Sequence, residues 1–309
     1  MNSQNKKDAK TIKEILNGDS IDENALINII GKRTHRERIQ IRKTYRELYN
    51  KDLMIDFANS QLVFNLKYII LALFLDPVEF DVDSIYNSLN SENIDNDTLI
   101  EIFASRPWWY LIKIKEIYEK KYKKDLEKEI IGESADDFKK LLVLLLQSKR
   151  SSNEKPDKNV CQNIAKEIQA LGENKLNIDE PIIKKLFCES SPQELIIISR
   201  EYHNATGYVI TDSIEKEFKG DVKKLLKTVL YVLISPSEYF ATRVHDAIWN
   251  KNVNEKMLTR ILVSRFEIDM LKIKEYYKIL YKNEMIDDIK NKTSGSFQNL
   301  CIDICRYMS

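Results

Sequence analysis

The chain has 309 residues and a mass of 36.4 kDa, with only seven Gly and six Pro. That is about 4% of turn-forming residues against roughly 12% in average usage, which argues against β-sandwiches, propellers and loop-rich disulfide scaffolds. Lys and Arg number 49 and Asp and Glu 48, so a net charge of +1 gives no global pull toward nucleic acid or membrane, and any binding face must be local.

Neither GxGxxG nor GxxxxGK[ST] occurs, which removes the glycine-rich phosphate cradle. His35, His203 and His245 are far apart in sequence and make a multi-histidine metal site a poor expectation. The four cysteines form no CxxC; Cys301 and Cys305 lie i,i+4 and fit buried thiols on a helix in a reducing compartment. Residues 1–10 are polar, without an apolar signal region. The longest apolar runs, 68–75 and 141–146, suit core helices and are too short for membrane spans. A soluble, cytoplasmic, nearly all-α protein is expected.

Along the chain the sequence repeats itself. Leu26, Leu99, Ile183 and Leu258 align, and with them Arg33, Arg106, Ser190 and Arg265. Tyr45, Tyr118, Tyr202 and Tyr277 coincide, as do Phe57, Ile130, Ile214 and Ile289. With a one-residue gap in the first copy, Phe64, Phe138, Val222 and Phe297 follow. The offsets are 73, 84 and 75 residues. The expected divisions are a segment 1–7, repeats at 8–76 and 77–147, a linker 148–158, and repeats at 159–235 and 236–309. The linker reading rests on the polar, Pro156-bearing stretch SKRSSNEKPDKN.

Repeat two shows the pattern within a unit. A helix over 82–89 comes first. Leu99, Ile102, Phe103 and Arg106 recur at i, i+3, i+4, i+7, and Ile114, Ile117 and Tyr118 continue on another helix. A short helix over 126–130 and a strongly apolar one over 138–146 complete five, the last with Asp136 and Asp137 near its start, where acids complement the helix dipole. None of these can bury its apolar stripe alone, so each unit must be a small bundle.

Repeat four, WNKNVNEKMLTRILVSR at 249–265 and IKEYYKILYKNEMIDDIKNKTSGSFQNL at 273–300, resembles an annexin repeat. Repeat three, YHNATGYVITDSIEKEFKGDVKKLL at 202–226, resembles the atypical third annexin repeat. The resemblance covers roughly residues 8–309; the same residues also admit the alpha-giardins, divergent members of the superfamily. It implies four repeats of five helices each in a curved disc, whose convex face binds anionic phospholipid through calcium. In that family a GxGT loop between the first two helices offers carbonyls, and an acid about 40 residues later completes the site. A hard cation wants such oxygen ligands and leaves positions for lipid phosphate.

Against that pattern the loops depart. Repeat one has Gly18-Asp19-Ser20-Ile21, with Asn59 in the acid slot. Repeat two has Ser91-Glu92-Asn93-Ile94 with Glu133, repeat three Lys175-Leu176-Asn177-Ile178 with Glu217, and repeat four Asn250-Lys251-Asn252-Val253 with Lys292. Asn tolerates left-handed backbone better than other non-glycines, so Asn93, Asn177 and Asn252 are expected to keep part of the loop shape. Calcium, bound weakly, is expected in repeats two (Ser91, Asn93, Glu133) and three (Lys175, Asn177, Glu217). Repeat one (Gly18, Ser20, Asn59) ranks below them. Repeat four is expected to have lost its site, since a Lys ammonium beside a divalent cation adds repulsion on the order of 2 kcal/mol at ~4 Å even with water-like screening. Glu133 and Glu217 equally fit acids placed near helix N-termini.

A calcium-free route to membranes is also legible. Trp249, Lys251 and Lys292 would share one surface if repeat four folds as its resemblance implies. Indole favours the headgroup interface, and each basic residue near anionic lipid adds about 1 kcal/mol. The competing expectation is that Trp249 folds back into the bundle. Trp108-Trp109-Tyr110, between two helices, is expected to place at least one ring in the core. Arg33, Arg106 and Arg265 fall near helix ends and are expected to be structural, with a different local tie at Ser190. His203 fits a helix-end residue. No nucleophile–base pair or converging carboxylates stand out, so no enzyme is expected. The sequence points to peripheral binding on anionic phospholipid membranes; the alternative is a cytoskeleton-associated scaffold that keeps the fold without calcium sites. No nucleic-acid partner is expected.

Overall fold

The computed structural model describes residues 3–133, 136–151, 155–171 and 177–307. Twenty α-helices and no strand occur among them, five helices in each of four repeats. Repeat one holds α1 (Ser3–Asn17), α2 (Glu23–Ile30), α3 (His35–Tyr49), α4 (Leu53–Asn59) and α5 (Phe64–Phe74). Repeat two holds α6 (Pro77–Leu89), α7 (Asn96–Ser105), α8 (Trp108–Tyr122), α9 (Leu126–Ile131) and α10 (Asp137–Gln147). Repeat three holds α11 (Lys158–Leu171), α12 (Pro181–Lys184, continued by a π-helical turn Lys185–Glu189), α13 (Pro192–Thr206), α14 (Ile210–Glu217) and α15 (Gly220–Ile234). Repeat four holds α16 (Pro236–Trp249), α17 (Glu255–Arg265), α18 (Met270–Tyr281), α19 (Met285–Lys292) and α20 (Gly295–Arg306). The first helix begins at Ser3, inside the segment 1–7 expected ahead of the first repeat, because Asn5 and Asp8 already belong to its buried face.

The chain forms two compact units. One comprises residues 1–80 with 240–309, the other 81–239. In the first, α1 packs on α3, and α17 on α5; in the second, α11 packs on α13, and α7 on α15. Helix boundaries follow local chemistry. Thr34 and Ser191 make capping boxes with Glu37 and Glu194, each satisfying two otherwise orphaned backbone donors. The residue after the third helix is left-handed in every repeat: Asn50, Lys123, Gly207 and Lys282. Only one of the four is Gly, so three repeats carry strain on the order of 1 kcal/mol each to end that helix abruptly.

In repeats one, three and four the recurring tyrosine ties the third helix to the fourth, while the Tyr118 hydroxyl of repeat two has no hydrogen-bond partner. Tyr45, Tyr118 and Tyr277 are fully buried, and Tyr202 nearly so. Eleven residues on, Tyr45 donates to Asp56 at 2.5 Å and Tyr277 to Asp288 at 2.7 Å, while Tyr202 meets the Ser213 hydroxyl at 2.8 Å. Glu129 stands at the matching place in repeat two.

The arginines tie the first helix to the end of the second. Arg33 grips Asp8 at 2.7 and 3.1 Å, and Arg106 grips Asp81 at 2.6 and 3.0 Å, both as bidentate forks. In repeat four the acid is replaced by Phe240; Arg265 lies 4.5 Å from that ring and pairs with Asp269 instead. Repeat three has Ser190 in the arginine slot, and the different tie expected there comes from the linker. Arg150 donates to the carbonyl of Ser190 at 2.5 Å and to that of Phe187, and Ser190 Oγ donates to Lys185 O at 2.8 Å, closing the π-helical turn.

One expectation is corrected. None of Trp108, Trp109 and Tyr110 is core. Pro107 caps α8, so the three rings project from that helix's first turn. Trp109 is half exposed, with the Lys113 ammonium 5.3 Å from its ring. His203 lies in the last turn of α13, where its carbonyl accepts from Gly207 N. All four cysteines are buried free thiols.

Candidate functional site

The candidate site lies where the loop between the first two helices faces the end of the fourth helix, as Trp249 meets Lys292 in repeat four; most of that loop in repeat three lies outside the described residues. The loops are short because their closing bonds are local. Asp95 N donates to Ser88 O at 3.3 Å in repeat two, and Asn254 N to Ala247 O at 2.7 Å in repeat four. Asp22, Asp95 and Asn254, at matching positions, then cap the second helices through Ala25 N, Thr98 N and Met257 N.

The loop backbone differs from the expectation. The left-handed residues among those described are Asn50, Lys123, Lys282, Gly132, Gly207, Gly220 and Gly295. Neither Asn93 nor Asn252 is among them, and Gly18 is not either. The tendency of Asn toward that geometry is outweighed by the closing bonds. In repeat two, Ser91 Oγ also lies 2.9 Å from Ser88 O and 2.5 Å from Asn93 O, so the Asn93 carbonyl is engaged within its own loop.

Positive groups already serve the facing corner. In repeat one the Lys67 ammonium donates to Ala58 O at 3.1 Å and Ser60 O at 2.7 Å, on either side of Asn59. In repeat two Lys139 reaches Ile131 O at 3.1 Å, close to exposed Glu133. In repeat three, Asn177 is exposed and Glu217 half-buried at the end of α14; Lys175 lies outside the described residues.

Repeat four is the most completely assembled of these corners. The Lys292 ammonium stands 3.8 Å from the centre of the Trp249 ring. Trp249 is 49% exposed, so it does not fold back into the bundle. Below it, His245 stacks on Tyr281 with centroids 3.7 Å apart and on Trp249 at 5.7 Å. The equivalent pair in repeat two, Tyr86 and Tyr122, stacks at 3.7 Å, so repeats two and four share the ring platform, while repeats one and three have Lys13 with Tyr49 and Ala170 with Thr206 there. The tryptophan on top is not: the other repeats have Asn17, Asn90 and Asn174 there. Repeat four has thus exchanged Asn for Trp on the loop side and the acid-slot residue for Lys on the corner side, and the two new side chains touch. Lys251 is exposed, two residues beyond Trp249. The signal for the ring platform lay in the aromatic pairs 86/122 and 245/281, each 36 residues apart, at matching positions of repeats two and four.

These observations decide how well a calcium ion fits. No cluster of three or more His, Cys, Asp or Glu gathers among the described residues, so side chains alone do not make a cage there. A carbonyl-based site needs a converging loop and a carboxylate. Repeat four supplies an ammonium in the carboxylate's place, and repeat one a neutral amide flanked by an ammonium. Repeat two keeps the carboxylate but not the left-handed loop.

The annexin family model matches residues 7–64, 80–145, 165–229 and 239–304. Annexin A11 of Mus musculus is 33% identical over 299 residues, which is 97% of this chain and 59% of that protein, so the chain spans well under two thirds of that relative's length. Among solved structures, annexin III superposes with a TM-score of 0.93 at 30% identity, over 97% of this chain and 93% of the other. Calcium-bound alpha-14 giardin gives a TM-score of 0.78 at 14% identity, over 95% and 96% of the two chains, a likeness of fold alone. Four matched repeats, each of five helices, make this chain a member of the annexin family.

Proposed function

We propose that this protein binds anionic phospholipid membranes peripherally from the cytoplasm, with a calcium dependence weaker than the annexin pattern implies. The family supplies the general activity, and no helix among the described residues is long and apolar enough to cross a membrane. The observation that carries the finer reading is the Lys292–Trp249 contact. A fixed ammonium sits where a calcium-binding repeat has its carboxylate, against a half-exposed indole and beside exposed Lys251. Such a surface offers headgroups an interfacial aromatic and two cations with no metal between them. Calcium, where bound, would bridge loop carbonyls and Glu133 or Glu217 to lipid phosphate, and those two repeats are its weak remaining sites.

Co-sedimentation with phosphatidylserine vesicles, in calcium and in chelator, tests this. Binding that persists in chelator and falls with Trp249→Ala combined with Lys251→Glu is expected. Binding that vanishes in chelator, or is unchanged in that variant, overturns the calcium-free route. Sedimentation with actin or microtubules but not vesicles would instead establish the scaffold reading.

A further inference from the structure

Repeat three contains a cavity of about 640 Å³ between α13, α14 and α15. Val209, Ile210, Leu230 and Ile234 form much of its wall, and Val209 and Ile234 are about half exposed. Its size falls in the range of small-molecule sites, roughly 300–1,000 Å³.

The sister repeats differ in the residues that line this place. At the position of Ser199 they carry Arg42, Lys115 and Lys274. Each of these long side chains is tied down: Arg42 to Asp52, Lys115 to Glu127, and Lys274 to the Cys305 carbonyl. At the position of Val209 they carry Asp52, Asp125 and Glu284. Repeat three has exchanged a base for Ser199 and an acid for Val209, so its hollow is wider and more apolar than the one of about 450 Å³ that repeat four keeps at the same place beside Lys274 and Glu284.

The rim has changed in the opposite sense. Lys227 stands where repeats two and four have Val143 and Ile302. Lys223 and Lys227 both pair with the single carboxylate of Glu215, and Lys224 pairs with Asp97. Lys224 is balanced by Asp97, and Glu238 lies elsewhere on the lining, but Lys223 and Lys227 share one carboxylate, which leaves that part of the rim locally positive. An apolar hollow with a cationic rim complements a molecule with an alkyl body and one anionic end.

The geometry points to a binding site in repeat three for a free single-chain alkyl carboxylate, its chain against Val209, Ile210 and Ile234 and its head replacing part of Glu215's hold on Lys223 and Lys227. The site lies in a different repeat from the Trp249 surface.

Titration calorimetry with octanoate, decanoate and dodecanoate, each below its micelle concentration, tests it on the whole chain. One-to-one binding is expected, tightening about fourfold per methylene while the chain stays inside. Ser199→Lys, which puts a long basic side chain into the apolar wall, should weaken decanoate at least tenfold. Lys227→Ile, which restores a sister residue on the rim, should weaken decanoate while leaving decanol unaffected. Absence of saturable binding, affinity independent of chain length, or affinity unchanged in both variants overturns the proposal. Vesicle sedimentation of Ser199→Lys is expected to match the unaltered chain, so loss of membrane binding and loss of this site are separate results.

Discussion

Arg106 donates to Asp81 through Nε at 2.6 Å and a terminal nitrogen at 3.0 Å, with both side chains almost wholly out of solvent. Burial by itself would lower the arginine's pKa, but the Asp81 charge and hydrogen bonds outweigh it and hold it raised. The pair joins α6 to the end of α7, as Asp8 and Arg33 join α1 to the end of α2. Breaking a buried pair leaves one charge stranded, at a cost of about 3–5 kcal/mol. Asp81→Asn should therefore lower the midpoint of urea unfolding strongly. Asp8→Asn should lower it less, because Arg33 is partly exposed and water can take over. Equal losses would contradict the burial argument.

The acid limb of stability should depend on Tyr45 and Lys13. Burial would raise the Asp56 carboxyl, yet the hydrogen bonds from Tyr45 and Lys13 bring it below its ordinary value. A depressed carboxylate contributes stability above its unfolded pKa and loses it as pH falls through the folded value. That window lies below about pH 4. Tyr45→Phe removes a hydrogen bond to a charged group, roughly 1.5–3 kcal/mol. Circular dichroism against pH should show its unfolding midpoint shifted upward, and an unchanged midpoint would show that Tyr45 contributes only packing.

Both ties were half legible in the sequence. The tyrosines stood out because four of them recur at one position, and scarce Gly and Pro with 3.6-residue spacing made an all-α repeat protein the natural reading. Their partners were less visible, since Asp56 and Asp288 are carboxylates but Ser213 is a hydroxyl, and only the constant spacing of eleven links all three. The loops were least legible. Asn93 has the right intrinsic tendency for a left-handed turn, but the Ser91 hydroxyl and the Asp95–Ser88 bond decide the backbone, and such competition does not show in residue identity. The cavity at Ser199 could be read only as a missing side chain, which needs the three sister repeats beside it.

Arg38 is a residue whose removal should help the fold. It is fully buried; Nε donates to Ile30 O at 3.1 Å, while both terminal nitrogens lack a hydrogen-bond partner. Burial pushes its pKa down to about 10, and its guanidinium lies 4.9 Å from the Phe266 ring. The sister repeats have Leu111, Leu195 and Met270 there. Replacing buried charge by a well-packed apolar side chain is commonly neutral to stabilising by about 1–4 kcal/mol. Arg38→Met should raise the thermal midpoint in differential scanning calorimetry, and a clear fall would mean that the guanidinium has a structural partner of its own.

The thiols should be inert in the native state. Burial pushes Cys188 and Cys305 up to about 12 and Cys301 well above its ordinary value. The reactive species is the thiolate, so at neutral pH almost none is present. Reaction with an aromatic disulfide reagent should be slow in buffer and fast in denaturant. A rapid burst in buffer would require a cysteine exposed by local opening, and mass spectrometry of the labelled peptide would identify it.

Lys292→Glu separates the two routes to a membrane. The substitution returns a carboxylate to the corner of repeat four and removes the ammonium from the Trp249 ring, a contact worth about 0.5–1 kcal/mol at an exposed site. In chelator it should weaken sedimentation with phosphatidylserine vesicles, because one cation near the headgroups becomes an anion; the swing is about 2 kcal/mol at roughly 1 kcal/mol per charge, or some thirtyfold. Calcium should restore only part of that loss. The loop over residues 250–253 has no left-handed residue to turn its carbonyls toward the new carboxylate, so the charge returns without the rest of the ligand set. Full recovery in calcium would show that the carboxylate alone suffices and that loop geometry is not what limits repeat four.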